Sequence, residues 1–298
     1  MMKNYQSTFN SSVTGVLDYM KKSGLKTLVL GISGGIDSTV CAAIGKEVVK
    51  RNPDINLVGV YLPSNSNTKE ETEAALKVGN AFFIPGKFTE VSIQEKYELL
   101  KDWCCPVNKV SKGNIKARLR MIYLRNLAAT YNGLLLDTDN LSEHYLGFFT
   151  IAGDVGDLSP IGELWKHEVF ELATWIKDNC SDIEKEAISY SLALTPTDGN
   201  GVAEGGDLGQ IAPSLTDYYQ LDEILMTYLE YKKKPDEANL FEFQKISDKY
   251  GESTVSEVIS RHKSSEFKRL PSPVRIKLDI DRPKPDMRKM YPRLKVEK

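Results

Sequence analysis

Between Gly31 and Ser38 the chain places three glycines, two serine hydroxyls and one carboxylate within eight residues: Gly31-Ile32-Ser33-Gly34-Gly35-Ile36-Asp37-Ser38. Glycines at a turn between strand and helix let backbone N–H groups approach an anion, and the helix start that follows adds partial positive charge. A glycine-rich turn can also simply reverse the chain. Asp37 weighs against that reading. A carboxylate beside a phosphate nest repels the ligand unless a cation lies between them, so loop and acid together imply a magnesium-bound polyphosphate. No Lys-Ser/Thr pair follows the glycines, which excludes a Walker A loop, and the spacing fails the G-x-G-x-x-G fingerprint.

The elements that must position this loop follow from periodicity. Val13, Val16, Leu17 and Met20 predict a helix over Thr8 to Lys22, stopped by Gly24. The apolar run Thr27 to Ile32 predicts a strand leading into the glycines, with a helix from Ser38 to Lys50 after them. Ile55 to Pro63 reads as a second buried strand, and Thr68 with Glu71 as a capping box opening a helix. Phe82-Phe83-Ile84 is expected to form a third strand stopped by Pro85-Gly86. Asn114 to Asn132 is expected to be a helix with Gly133 as its C-cap and a stripe of Ala117, Met121, Leu124 and Ala128, facing either a partner chain or the chain's own core. Leu134 to Asp139 reads as a fourth strand. Alternating strands and helices predict an α/β fold, a doubly wound parallel sheet flanked by helices. Ligands bind beyond the carboxyl ends of such strands, where Ser33 to Ser38, Ser64 to Asn67 and Thr138 to Glu143 must converge.

Composition bounds the partners. A chain of 298 residues with 41% hydrophobic and 27% charged residues has the balance of an ordinary globular protein. A net charge of −2 argues against a broad nucleic-acid surface. The N-terminus has no apolar signal-like run, and no stretch is long and apolar enough for a bilayer. The four cysteines include the adjacent Cys104 and Cys105, which suits reduced thiols and a cytoplasmic location better than a disulfide scaffold. Three histidines, with no paired C-x-x-C, make a zinc site a poor fit. From Pro271 onward the chain is rich in proline and basic residues, which predicts an extended tail over 271–298 after a domain spanning 1–270.

"SGGIDS" resembles the PP-loop of the ATP pyrophosphatase superfamily, a Rossmann-like fold in which the loop holds the pyrophosphate of ATP. Further segments narrow the likeness. Leu134 to Ala173 carries Thr-Asp-Asn-x-x-Glu, Gly-Phe-Phe-Thr, a Gly-Asp turn, Asp-x-x-Pro and a lysine at a helix start. Asn114 to Met121 resembles a helix with paired arginines, Thr195 to Gly201 a Pro-Thr loop, and Arg261 to Arg269 a terminal His-Lys segment. In this order, over residues 10 to 270, they resemble the ammonia-dependent NAD synthetases.

The resemblance implies ATP-dependent amidation of deamido-NAD by ammonia through an adenylated nicotinate carboxylate, with release of AMP and pyrophosphate. It implies magnesium on Asp37 and Glu143, and ATP on Gly31 through Ser38, Thr138, Lys166 and Thr197, with Asp37 and Lys166 serving catalysis. Arg118, Asp157, His262 and Lys263 match substrate-binding positions. Simpler roles stand beside these: a solvated helix-start Glu143, capping threonines at 138 and 197, and a surface or dimer-interface charge at Arg125. Lys166 at a helix start opposes the helix dipole, which a polyphosphate partner would explain. A homodimer is implied, with no nucleic-acid or membrane partner.

Two departures bear on the acceptor. Ile151 stands where the family often has a substrate-touching lysine, and Asp137 replaces the common glycine before the Thr-Asp pair. These leave nicotinate mononucleotide as an alternative acceptor. A PP-loop tRNA thiolase using Cys104 and Cys105 is a rival, opposed by the acidic balance, and a non-catalytic nucleotide-binding module is another, opposed by the retained Asp37 and Glu143. The chain leaves no room for a separate glutaminase domain, so ammonia is the expected nitrogen donor.

Overall fold

The computed structural model describes residues 4–197 and 207–269. The tail 271–298 and most of the Thr195 to Gly201 loop lie outside them.

The chain begins with α1 (Tyr5–Ser23), β1 (Thr27–Gly31), α2 (Ile36–Arg51), β2 (Asn56–Tyr61), α3 (Lys69–Phe82), β3 (Phe88–Glu90), α4 (Gln94–Lys101), α5 (Lys109–Thr130) and β4 (Gly133–Leu135). It continues through α6 (Leu141–Leu146), α7 (Lys166–Asp178), α8 (Asp182–Ala193), α9 (Asp207–Ile211), α10 (Tyr218–Lys233), α11 (Glu237–Tyr250), α12 (Glu252–Ser264) and α13 (Glu266–Arg269). The four strands form a parallel sheet in the order β3-β2-β1-β4. The chain therefore winds outward from β1 through β2 to β3, then crosses back to lay β4 on the other side of β1. Beyond β4, Leu136 bridges Leu158 in parallel. The crevice between the ends of β1 and β4 is the switch point where ligands of such sheets bind.

Strand β1 is apolar throughout because both its faces are covered. Leu28 and Leu30 join α1, α2, α7 and α8 in one core, whereas Val29 joins Met121, Leu124 and Ala128 of α5 in another. The stripe on α5 thus faces the chain's own sheet and is not free to form a subunit interface. A third apolar cluster, with Leu221, Ile224, Leu225, Val255 and Val258, joins α10 to α12 beside α6.

Two local expectations are corrected. Phe82-Phe83-Ile84 is not a strand: the helical spacing of Ala74, Val78 and Phe82 continues to the end of α3, Phe83 caps it, and the third strand begins at Phe88. Gly133 is not a helix cap but the first residue of β4, where a Cβ would lie 2.5 Å from the Thr27 carbonyl oxygen. Tyr131 is the C-cap, and Asn132 takes the positive φ of 49°. The capping box of Thr68 and Glu71 forms as expected. Among the described residues no helix is long and apolar enough to cross a membrane.

Candidate active site

The glycine loop leaves β1 at Gly31 and enters α2 at Ile36. Gly34 has φ +87°, and a Cβ there would lie 2.6 Å from the Glu71 carbonyl oxygen, so the loop is seated against α3 in a way only glycine allows. Its own hydroxyls stiffen it. Ser38 Oγ donates to the Gly35 carbonyl at 3.0 Å, the Ser33 amide donates to Ser38 Oγ at 3.3 Å, and the Gly35 amide donates to Ser33 Oγ at 3.2 Å. No side chain caps α2, so the first-turn amides of Ile36, Asp37 and Ser38 keep the donor capacity that suits an anion.

Four side chains from three segments meet behind this loop. Lys166 Nζ, only 3% exposed, donates to Asp37 Oδ2 at 2.5 Å and to Glu143 Oε1 at 3.2 Å. Asn140 Nδ2 donates to the other Asp37 oxygen at 2.9 Å. Asn140 and Glu143 are themselves locked by a reciprocal capping box at the start of α6, the Glu143 amide donating to Asn140 Oδ1 and the Asn140 amide to Glu143 Oε2. Burial works against the Lys166 ammonium, but Asp37 and Glu143 outweigh it and hold its pKa well above the ordinary lysine value. Burial pushes Glu143 up, Lys166 pulls it down and Asp37 pushes it up again, leaving it at about 7. The site is a buried cation held between two carboxylates.

Asp37, Glu143 and Lys166 line a cavity of about 570 Å³ at the switch point. Gly31, Ile32, Ser33, Gly35, Ile36, Asp37, Ser38, Thr138, Glu143, Lys166 and Thr197 line it, while Gly34 packs behind the loop. Thr197 Oγ1 donates to Glu71 Oε1 at 2.6 Å, tying the start of the Pro-Thr loop to α3.

Arg118, Asp157, His262 and Lys263 do not line this cavity. Arg118 is exposed and donates to the Ile151 carbonyl at 3.4 Å. Asp157 accepts from Arg125 Nη1 at 2.6 Å and from the Leu135 amide at 3.0 Å, so it fastens the edge of β4. Arg125 is correspondingly its partner rather than an unpaired surface charge. His262 is 4% exposed, bonded through Nδ1 to the Tyr145 carbonyl at 2.9 Å, and burial pushes its pKa down. Lys263 is exposed, over the ring of Tyr228. The physical reason is helical phase. Arg261, Ser264, Ser265 and Lys268, spaced i, i+3, i+4 and i+7, line the cavity together with Phe267, and 262 and 263 fall outside that stripe.

Other lining residues escaped the sequence reading. Asp154 is held by the Thr150 amide at 2.7 Å, and burial raises its pKa to about 6. Asp139 also lines the cavity, and burial followed by the charge of Asp137 raises it well above the usual carboxylate range. Asn140 carried a usable signal, because Asn-x-x-Glu is a capping-box spacing.

Asp37 and Glu143, placed after adjacent strands, offer hard oxygen donors of the kind magnesium takes. Among the described residues no cluster of three or more acids, histidines or cysteines offers an all-protein metal cage.

Comparison with known proteins places this geometry. The family model for NAD synthase matches residues 8–272. An NH(3)-dependent NAD(+) synthetase of Pyrobaculum aerophilum is 33% identical over 271 residues, covering 90% of this chain and 91% of that one. A glutamine-dependent NAD(+) synthetase of Aquifex aeolicus is 30% identical over 86% of this chain but only 43% of its own length. Among solved structures, the NMN synthetase of Francisella tularensis superposes with a TM-score of 0.71 at 26% identity, covering 94% of this chain and all of that one. The chain belongs to the NAD synthase family.

Proposed function

We propose that the chain catalyses ATP-dependent amidation of deamido-NAD by ammonia, giving NAD, AMP and pyrophosphate. The observation that carries the reading is the convergence of Asp37, Glu143 and Lys166 behind an uncapped glycine loop at the sheet's switch point. A carboxylate is a poor electrophile until one of its oxygens becomes a leaving group. In this reading the nicotinate carboxylate attacks the α-phosphorus of ATP, the α–β phosphoanhydride breaks, and pyrophosphate leaves. The amides of the glycine loop and the first turn of α2 hold the departing pyrophosphate, and the Lys166 ammonium meets its developing charge. Ammonia then attacks the acyl-adenylate carbon and AMP departs, so no side-chain nucleophile is needed.

Asp37 and Glu143 would hold magnesium, which when bound neutralises charge on the polyphosphate. Lys166 bridges those two carboxylates, and its ammonium would face the phosphate charge of a bound nucleotide. Magnesium, a homodimeric assembly and a cytoplasmic location belong to the same reading and rest on the family resemblance. Mass spectrometry of products from ATP, magnesium, ammonium and deamido-NAD tests it: equimolar NAD and AMP are expected, and ADP would refute it.

A second acceptor is favoured by one observation, the superposition on an NMN synthetase over nearly the whole chain. Nicotinate mononucleotide presents the same carboxylate, and a parallel assay with each acceptor at equal concentration decides between them.

A further inference from the structure

We infer that Asp222 of α10 is a positioning residue for Lys166: it caps the start of α7 from another helix and so holds the ammonium on Asp37 and Glu143. This rests on the proposed function only for the role of Lys166.

Lys166 is the first residue of α7, and the N-cap is Trp165, whose side chain has no hydrogen-bond acceptor. The helix's own Glu168 takes the Trp165 amide at 3.0 Å, but the N-cap side chain offers nothing to the Lys166 and His167 amides. Other elements supply acceptors for both. The Lys166 amide donates to Ser142 Oγ at 2.8 Å, and the His167 amide donates to Asp222 Oδ2 at 3.0 Å. Ser142 Oγ in turn donates to Asp222 Oδ1 at 2.5 Å, and His167 Nδ1 lies 2.8 Å from Asp222 Oδ2. Asp222 is fully buried at 0% exposure, and these hydrogen bonds satisfy both of its carboxyl oxygens. The Tyr219 ring, one turn earlier on α10, covers the His167 imidazole at 4.8 Å between centroids.

The wiring has a direction. Ser142 immediately precedes Glu143, and His167 immediately follows Lys166, so one carboxylate fixes the chain neighbour of each. A lysine at the first position of a helix opposes the helix dipole, and a buried anion at that same end offsets the opposition. Asp222 does not line the cavity, yet through Ser142 Oγ and the His167 amide it ties the start of α7 to α6.

A double-mutant cycle on the full chain tests this, with D222N alone, K166M alone and both together. Two quantities are read: Mg–ATP affinity by calorimetry, and AMP formation in single turnover. We expect D222N to weaken ATP binding and slow AMP formation by about tenfold in the parent, and by less than twofold once Lys166 is gone. An anchor that merely stabilises the fold would leave both quantities unchanged below the melting temperature, or add the same factor in both backgrounds; either result overturns the inference. Should D222N fail to fold, the same cycle with Ser142→Ala, which removes one donor and leaves the carboxylate, decides by the same criteria. The calorimetric arm is independent of the acceptor, so a parent chain that formed no amide would refute the proposed function and leave this cycle to be read on ATP alone.

Discussion

Replacing Lys166 by methionine keeps most of the side-chain bulk and removes the charge on which two acids converge. The ammonium is 3% exposed while Asp37 and Glu143 are 16% and 22% exposed, so removing it costs less than the about 3–5 kcal/mol of breaking a fully buried pair. Glu143 can adapt by taking a proton. Its rise from 4.5 to about 7 already represents roughly 3 kcal/mol of opposed ionisation. Lys166 is what restrains that rise, so the variant's Glu143 must titrate higher still. The sign follows from linkage. A carboxyl group whose folded pKa exceeds its unfolded pKa binds more protons in the folded state, so stability falls as pH rises between the two values. In the parent that fall runs from about 4.5 to about 7. In Lys166→Met it must continue beyond, so the stability gap between variant and parent is smallest near pH ~5 and widens by about 1 kcal/mol toward pH ~8. Urea unfolding of both proteins across this range measures the gap. A gap independent of pH, or one that widens in acid, would refute the pairing of Lys166 with Glu143.

Asp37→Asn and Glu143→Gln should each lower turnover by about 10²–10³ at limiting magnesium while leaving the unfolding transition cooperative; steady-state AMP release at the parental rate would remove them from the site. Gly34→Ala places a Cβ 2.6 Å from the Glu71 carbonyl at a φ of +87°, and should cost about 1–3 kcal/mol in urea unfolding together with a loss of ATP affinity. Neutral ammonia must be the attacking species because ammonium has no lone pair. At fixed total ammonium the apparent KM should therefore fall as pH rises toward the ammonium pKa, and glutamine in ammonia-free buffer should not support turnover by this chain.

The sequence made the heart of the site legible because β1, the glycine loop and Asp37 are contiguous, and a buried strand ending in glycines has few alternatives. Lys166 and Glu143 emerged from motif order, and Glu143 comes beside Asp37 because β1 and β4 are neighbours. Periodicity identified the stripe on α5 but not its neighbour, since burial says nothing about what covers a face; the sheet does. Phe82-Phe83 misled because aromatic pairs at a helix end resemble strand residues when read locally. His262 and Lys263 do not line the cavity, whereas their neighbours Arg261 and Ser264 do. Asp222 lies 80 residues from Ser142 and 55 from His167, beyond any local pattern. An acid interrupting the apolar run of Leu221, Ile224 and Leu225 was its one visible sign.

The central claim, that this cavity adenylates a carboxylate, is tested most directly by following oxygen. Deamido-NAD carrying heavy oxygen in its nicotinate carboxylate, incubated with the chain, ATP, magnesium and ammonium, should give AMP bearing one labelled oxygen for each NAD formed. Label in orthophosphate alongside ADP, or unlabelled AMP alongside NAD, would contradict it.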